Sequence, residues 1–219
     1  CSMTSFTNRV FPNKTGGMIL KNYGHAFIVG IVFCLGLIPC AWALSDVYKE
    51  NIYNPGKLKP IDSTLKVKVG EPAPDFTLPS ISGESVTLSQ YRGKKNVLIS
   101  FVPAAWTPVC SDQWPGYNIA KDLFAENDAV LLGISVDNIP TLYAWTQQMG
   151  KLWFPVLSDF WPHGAVADAY GVLRSDGTAE RALIFIDKQG IISSAMVFDI
   201  NERPDLKVCV DEVEKLGQP

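Results

Sequence analysis

The sequence predicts an α/β domain, a three-layer α/β/α arrangement around a central mixed β-sheet. Three observations carry that expectation. Near-continuous apolar runs of strand length, at 96–101 and 129–136, read as strands covered on both faces. Helix-period segments at 140–149 and 166–170 alternate with them, the order of a layered α/β domain. Late in the chain, runs at 182–186 and 191–198 flank Asp187-Lys188-Gln189-Gly190, a turn ending in glycine, and so form an antiparallel hairpin.

The elements follow in order. Residues 1–17 are polar and without periodicity and form an unassigned leader, with Met18 a candidate start. Lys21, an apolar run over 26–39 and then Ala41-Trp42-Ala43 follow. A basic start, an apolar run and a small-x-small tripeptide are what signal peptidase reads, so 18–43 is expected to be a signal peptide cut before Leu44. The alternative is a retained membrane anchor, because residues 26–44 carry no charge over about the length that spans a bilayer. Either way the body is expected to be exported, to the periplasm or cell envelope. Residues 44–68 are mixed, polar and interrupted by Pro55 and Gly56, which suits a linker or an arm lying on a domain at 69–219.

That domain opens on Val69-Gly70-Glu71-Pro72-Ala73-Pro74-Asp75-Phe76, where the prolines fix an extended path. Ser82-Gly83-Glu84 is a turn between two short strands, a small hairpin. Tyr117 to Asn127 places Ile119, Leu123 and Phe124 at helical spacing, and 154–157 is a brief strand. The segment at 166–170 ends at Gly171, a helix stop, and Leu206, Val210, Val213 and Leu216 mark a closing amphipathic helix.

Charge and cysteine usage narrow the function. Arg9, Lys14 and Lys21 face no acidic residue before Leu44, so the remainder holds 16 basic against 22 acidic side chains. Such a body gives no electrostatic reason to expect nucleic acid as a partner. Cysteines at 1, 34, 40, 110 and 209 make no CxxC pair and no metal-ligand spacing, and His25 and His163 are the only histidines. No metal and no cofactor is expected.

The chemistry concentrates in Phe101-Val102-Pro103-Ala104-Ala105-Trp106-Thr107-Pro108-Val109-Cys110. A strand ending near Pro103, a short loop and a helix opening near Pro108 put Cys110 in the first helical turn. Unpaired N–H groups and the positive end of the helix dipole favour the thiolate there, and the thiolate is the reactive form. A dithiol site would need a second thiol three residues earlier, and that position holds Thr107. Its hydroxyl can both donate and accept, which suits a substrate with two adjacent oxygens. His163, in Trp161-Pro162-His163-Gly164, reads as turn chemistry, and the tryptophans at 106, 114, 145, 153 and 161 as core or interface.

Pro103-x3-Thr107-x2-Cys110 resembles the active-site signature of the peroxiredoxins, in the alkyl hydroperoxide reductase and thiol-specific antioxidant branch. Looser similarity runs from Val69 through Leu157-Ser158-Asp159 to Arg181-Ala182-x2-Phe185-x-Ile186-Asp187. The resemblance implies a thioredoxin-like fold and a thiol-dependent peroxidase acting on hydrogen peroxide or organic hydroperoxides. It implies that Cys110 is the peroxidatic nucleophile and becomes a sulfenic acid, that Pro103 shields it and that Thr107 orients the peroxide. Arg181, at the start of a core strand, would stabilise thiolate and oxyanion; Arg174 competes for that role but reads as part of an exposed turn. Members with a resolving cysteine in the same helix carry it about five residues on, where this chain has Pro115. Cys209 sits beside the apolar stripe of the last helix and reads as buried structure. A one-cysteine cycle follows, with an external thiol, thioredoxin-like or small, as reductant, and a homodimer or larger homo-oligomer is implied. A redox-responsive holdase or sensor and a membrane-tethered thiol–disulfide oxidoreductase are the alternatives.

Overall fold

A computed structural model describes residues 46–218. The expectations for residues 1–17 and for a signal peptide or anchor at 18–43 lie outside the described residues. Among the described residues no helix is long and apolar enough to cross a membrane.

A one-turn helix, α1 (Asp46–Glu50), leads into extended chain that reaches a two-stranded hairpin of β1 (Thr77–Pro79) and β2 (Ser85–Thr87). Next come β3 (Asn96–Phe101), α2 (Pro108–Gly116), a 3-10 turn at Tyr117–Ala120, α3 (Lys121–Glu126) and β4 (Ala129–Ser135). The chain finishes with α4 (Ile139–Met149), β5 (Val156–Ser158), α5 (Ala165–Tyr170), β6 (Arg181–Ile186), β7 (Ile192–Phe198) and α6 (Leu206–Gly217). Five strands make one mixed sheet in the order β5-β4-β3-β6-β7, with β3, β4 and β5 parallel and β6 and β7 antiparallel to their neighbours. The predicted α/β class and late hairpin are both present.

The period-2 geometry of the strands divides the core into two layers. Val97, Ile99 and Phe101 of β3 pack on one face with Ile184 of β6 and Tyr170 of α5. Leu98 and Val102, with Leu183 and Phe185, pack on the other against Trp114, Phe124, Trp145 and Val213 from α2, α3, α4 and α6. Helices therefore cover both faces of the sheet, completing the three layers.

Two local readings change. Tyr117 to Asn127 is not one helix, because a 3-10 turn at Tyr117–Ala120, directly past the end of α2, precedes α3. Phe124 is buried, but Ile119, on that turn, is 83% exposed. Arg174 is also not exposed. Its turn places Ser175, Asp176 and Gly177 in solvent, while the guanidinium folds inward, donates to Glu180 Oε2 at 2.6 Å and to the Lys59 carbonyl at 2.9 Å.

Those contacts hold residues 51–68 against the domain. Glu180 Oε1 accepts from the Asp62 N–H, and Asp62 Oδ2 accepts from the Ser175 N–H at 2.9 Å. The Lys66 N–H donates to the Tyr170 carbonyl at 3.1 Å. Gly171 makes that approach possible: it closes α5 with φ of 73°, and a Cβ there would stand 2.3 Å from Lys66 N and Thr64 O.

Candidate active site

The loops that follow the parallel strands β3 and β4 leave the sheet at the same edge, where sites of open α/β sheets gather. Register brings β6 to that edge from the opposite direction. Phe101 pairs with Ala182, so Arg181, one residue earlier, stands beside the loop that β3 feeds.

That loop is held from three sides. The Ala105 N–H donates to Asp137 Oδ2 at 2.7 Å, and Asp137 also accepts from the hydroxyl of Ser135, the last residue of β4. Trp106 adopts φ of 61°, a left-handed conformation that costs a bulky residue of order 1–3 kcal/mol and persists where neighbours over-determine it. Those neighbours come from the arm: the Trp106 carbonyl accepts from the Tyr53 N–H at 2.8 Å, and its ring lies 5.7 Å from that of Tyr48. Thr107 then caps α2 in extended conformation with Pro108 in the first turn. Its hydroxyl does not cap the helix but donates to the Ala104 carbonyl at 2.9 Å.

Cys110 lies in the first turn of α2, fully buried. Arg181 Nη2 is 3.5 Å from its sulfur. The same guanidinium donates through Nη2 to the Ile200 carbonyl at 3.0 Å and through Nη1 to Gln113 Oε1. Arg181 is only 1% exposed, and among the described residues no carboxylate lies within ion-pair distance of it. The buried cation thus faces the Cys110 sulfur on one side and neutral acceptors on the others, with the Asp199 carboxylate acting on it from beyond ion-pair distance.

Pro103, Thr107 and Arg181 line one pocket together with residues 53–58 of the arm, about 610 Å³ in volume. The structure thus brings together all four residues singled out in the sequence. It also adds two that sequence reasoning passed over. Gln113 is buried and connects Arg181 to the Tyr117 phenol, to which its Nε2 donates at 2.9 Å, and to Ser100. Asp137 lies two residues past the end of β4, and its place just beyond a parallel strand was the signal available for it.

The helix is seated by its tryptophan. Trp114 donates to Ser100 Oγ at 3.3 Å and lies 5.1 Å from the ring of Trp145. Gly133 on β4 leaves the room, since a Cβ there would stand 2.9 Å from the Trp114 ring. Cys209 is buried beside the Tyr117 phenol, and burial pushes its thiol up to about 12. His163, exposed in a turn next to Trp161, lies outside the pocket. Among the described residues no three His, Cys, Asp or Glu side chains gather as metal ligands.

A family model described as AhpC/TSA matches residues 69–195, more than half of the chain and the whole span from the first hairpin into β7. The chain belongs to the AhpC/TSA family. Alkyl hydroperoxide reductase E of Mycobacterium tuberculosis is 41% identical over 151 residues, covering 68% of this chain and 98% of that protein. Peroxiredoxin TSA1-B of Candida albicans is 37% identical over 142 residues, 60% of this chain and 71% of that one. Among solved structures, the reduced 2-Cys peroxiredoxin of Plasmodium vivax superposes with a TM-score of 0.63 at 29% identity, covering 68% of this chain and 81% of that one. AhpC/TSA membership accounts for the thioredoxin-like α/β fold. The match begins at Val69 and leaves the arm outside it.

Proposed function

We propose that this AhpC/TSA member is a thiol-dependent peroxidase whose nucleophile is Cys110. The observation that carries the assignment is the 3.5 Å approach of the buried Arg181 guanidinium to the Cys110 sulfur, in the first turn of a helix whose N-cap position is Thr107.

The chemistry follows from that geometry. The Cys110 thiolate attacks the terminal oxygen of R–O–O–H; an S–O bond forms and the O–O bond breaks. Sulfur loses two electrons and becomes sulfenic acid, and the departing alkoxide takes a proton from solvent to leave as alcohol, or as water when R is hydrogen. Thr107 spends its own proton on the Ala104 carbonyl, so its oxygen is available to accept from the peroxide O–H and aim the terminal oxygen at sulfur. Arg181 stabilises the thiolate beforehand and the developing oxyanion during transfer. Pro103 closes the pocket beside the loop and keeps water from the sulfur.

Recovery of the thiol rests on an external thiol reductant. Cys209 is buried, and burial holds it protonated, while Pro115 occupies the neighbouring position in the helix, so a one-cysteine cycle is the reading these features support. A redox-triggered holdase or a thiol–disulfide oxidoreductase is not favoured, the latter because Thr107 stands where a second thiol would be needed. We assign the chain to a homodimer or larger homo-oligomer, as its resemblance to the peroxiredoxins implies, which sedimentation velocity would test. Its location is read as the periplasm or cell envelope from the apolar stretch at 26–44, and cell fractionation would reveal a cytoplasmic protein instead.

The deciding experiment is peroxide consumption by the protein with a dithiol as reductant. The unaltered chain consumes hydrogen peroxide or cumene hydroperoxide with turnover, and Cys110→Ser lowers the rate at least about 10³-fold, the scale of losing a nucleophile. Full activity in that variant would mean that another residue carries the reaction.

A further inference from the structure

Residues 53–58 lie outside the span of the family match, yet they form one side of the pocket that Arg181, the neighbour of the Cys110 sulfur, also lines. Tyr53, Pro55 and Leu58 supply its apolar side from the arm, with Asn54, Gly56 and Lys57 between them, and Pro103, Thr107 and Arg181 line it from the reacting side. The pocket holds about 610 Å³, far more than hydrogen peroxide fills, since a water molecule takes only about 30 Å³ of liquid.

Displacement at oxygen requires sulfur, terminal oxygen and departing oxygen to lie in line. The substituent R, carried by the departing oxygen, therefore points away from Cys110. Arg181 borders both the sulfur and the pocket, and Thr107 lines the pocket beside it, so the pocket is the space into which R projects.

The arm is a fixed wall there. The Leu58 N–H donates to Asn201 Oδ1 at 2.8 Å, and Asn201 Nδ2 donates back to the Leu58 carbonyl at 3.0 Å. One residue on, the Lys59 carbonyl is bound by the buried Arg174, and at the other end the Tyr53 N–H is bound by Trp106. Three independent anchors over seven residues hold the segment across the opening.

We infer that residues 53–58 are a specificity-determining wall. Through Tyr53, Pro55 and Leu58 they give the substituent of an organic hydroperoxide apolar side chains to bury against, so that this chain selects hydroperoxides with a carbon body over hydrogen peroxide. The inference rests on the peroxidase reading above. Apolar contact with R contributes to the reaction of an organic hydroperoxide and not to that of hydrogen peroxide, which has no R to bury.

The test is the ratio of second-order rate constants for Cys110 oxidation by cumene hydroperoxide and by hydrogen peroxide, measured by rapid quench and mass spectrometry on the full chain. Three variants are compared with the unaltered protein: Tyr53→Ala, Leu58→Ala and Asn201→Ala. Tyr53 is 70% exposed, so its truncation leaves the core intact whatever the other two do to folding. The ratio is expected to fall about tenfold in Leu58→Ala and Asn201→Ala and about threefold in Tyr53→Ala, the scale of losing part of an apolar subsite. A general loss of fold would lower both rate constants together and leave the ratio where it was. A ratio within twofold of the unaltered protein in all three variants would overturn the wall while leaving the peroxidase assignment intact. If the unaltered protein oxidised with neither peroxide, the peroxidase reading would fall, and the wall with it.

Discussion

At the scale of single residues, Cys110 and Arg181 form a pair in which each group makes the other tenable. The guanidinium is buried among neutral acceptors, Gln113 and the Ile200 carbonyl, and the sulfur sits in the first turn of α2, near the positive end of the helix dipole, facing this cation. Arg181→Ala is expected to slow Cys110 oxidation by about 10²-fold, the size of losing one preorganised oxyanion partner, with Arg181→Lys little better because an ammonium lacks the planar fork that reaches sulfur, Gln113 and Ile200 together. Stopped-flow oxidation rates check both. The second thiol behaves oppositely. With Cys209 pushed to about 12 by burial, roughly one molecule in 10⁴ carries it as thiolate at pH 8. Iodoacetamide applied to the native reduced protein is therefore expected to label Cys110, whose neighbour Arg181 lines the pocket, and spare Cys209, read by peptide mass, and rapid labelling of Cys209 would contradict its protonated state. Pro103, Thr107 and Cys110 were legible in the sequence because their spacing is local. Gln113 and Asp137 were not, because a polar side chain announces a partner only once tertiary contact supplies one, as Arg181 does for Gln113 and the Ala105 N–H for Asp137.

Among elements, the strands and most helices followed from hydrophobic period, and the exceptions have local causes. Pro115 removes a backbone donor inside α2, and the segment after it tightens into a 3-10 turn that carries Ile119 outward, although its spacing to Leu123 and Phe124 suggested an inward stripe. Arg174 misled in the other direction. Its neighbours are turn residues and are exposed, but Glu180, six positions on, offers a carboxylate at 2.6 Å and the arm offers a carbonyl, so the guanidinium is drawn under the turn. The arm depends equally on Gly171. Gly171→Ala combines a side chain at φ of 73° with a Cβ 2.3 Å from the backbone of Thr64 and Lys66, and is expected to destabilise the fold by about 1–3 kcal/mol. The urea midpoint measures the loss. Faster hydrogen exchange at the Lys66 amide, with the amides of β3 unchanged, would locate it in the arm.

For the whole molecule, topology explains why chemistry gathers at one edge. Parallel β3 and β4 deliver their loops to the same side of the sheet, and antiparallel β6 begins there, so a cysteine and an arginine separated by 71 positions meet without a dedicated binding module. The alternation of strands and helices made that architecture readable from sequence, but strand order and register were not, since they rest on contacts between segments far apart in the chain. The arm shows the same limit. Its polar, proline-interrupted composition left linker and wall indistinguishable until Asn201, Arg174 and Trp106 were seen to hold it over the pocket. The central claim is that Cys110 itself receives an oxygen atom from a peroxide. Intact mass of the reduced protein after one equivalent of hydrogen peroxide, followed by peptide mapping, tests it most directly. The predicted result is a gain of one oxygen, mapped to Cys110, reversed by added thiol and absent in Cys110→Ser; an unchanged mass, or the same gain in the Cys110→Ser variant, would contradict it.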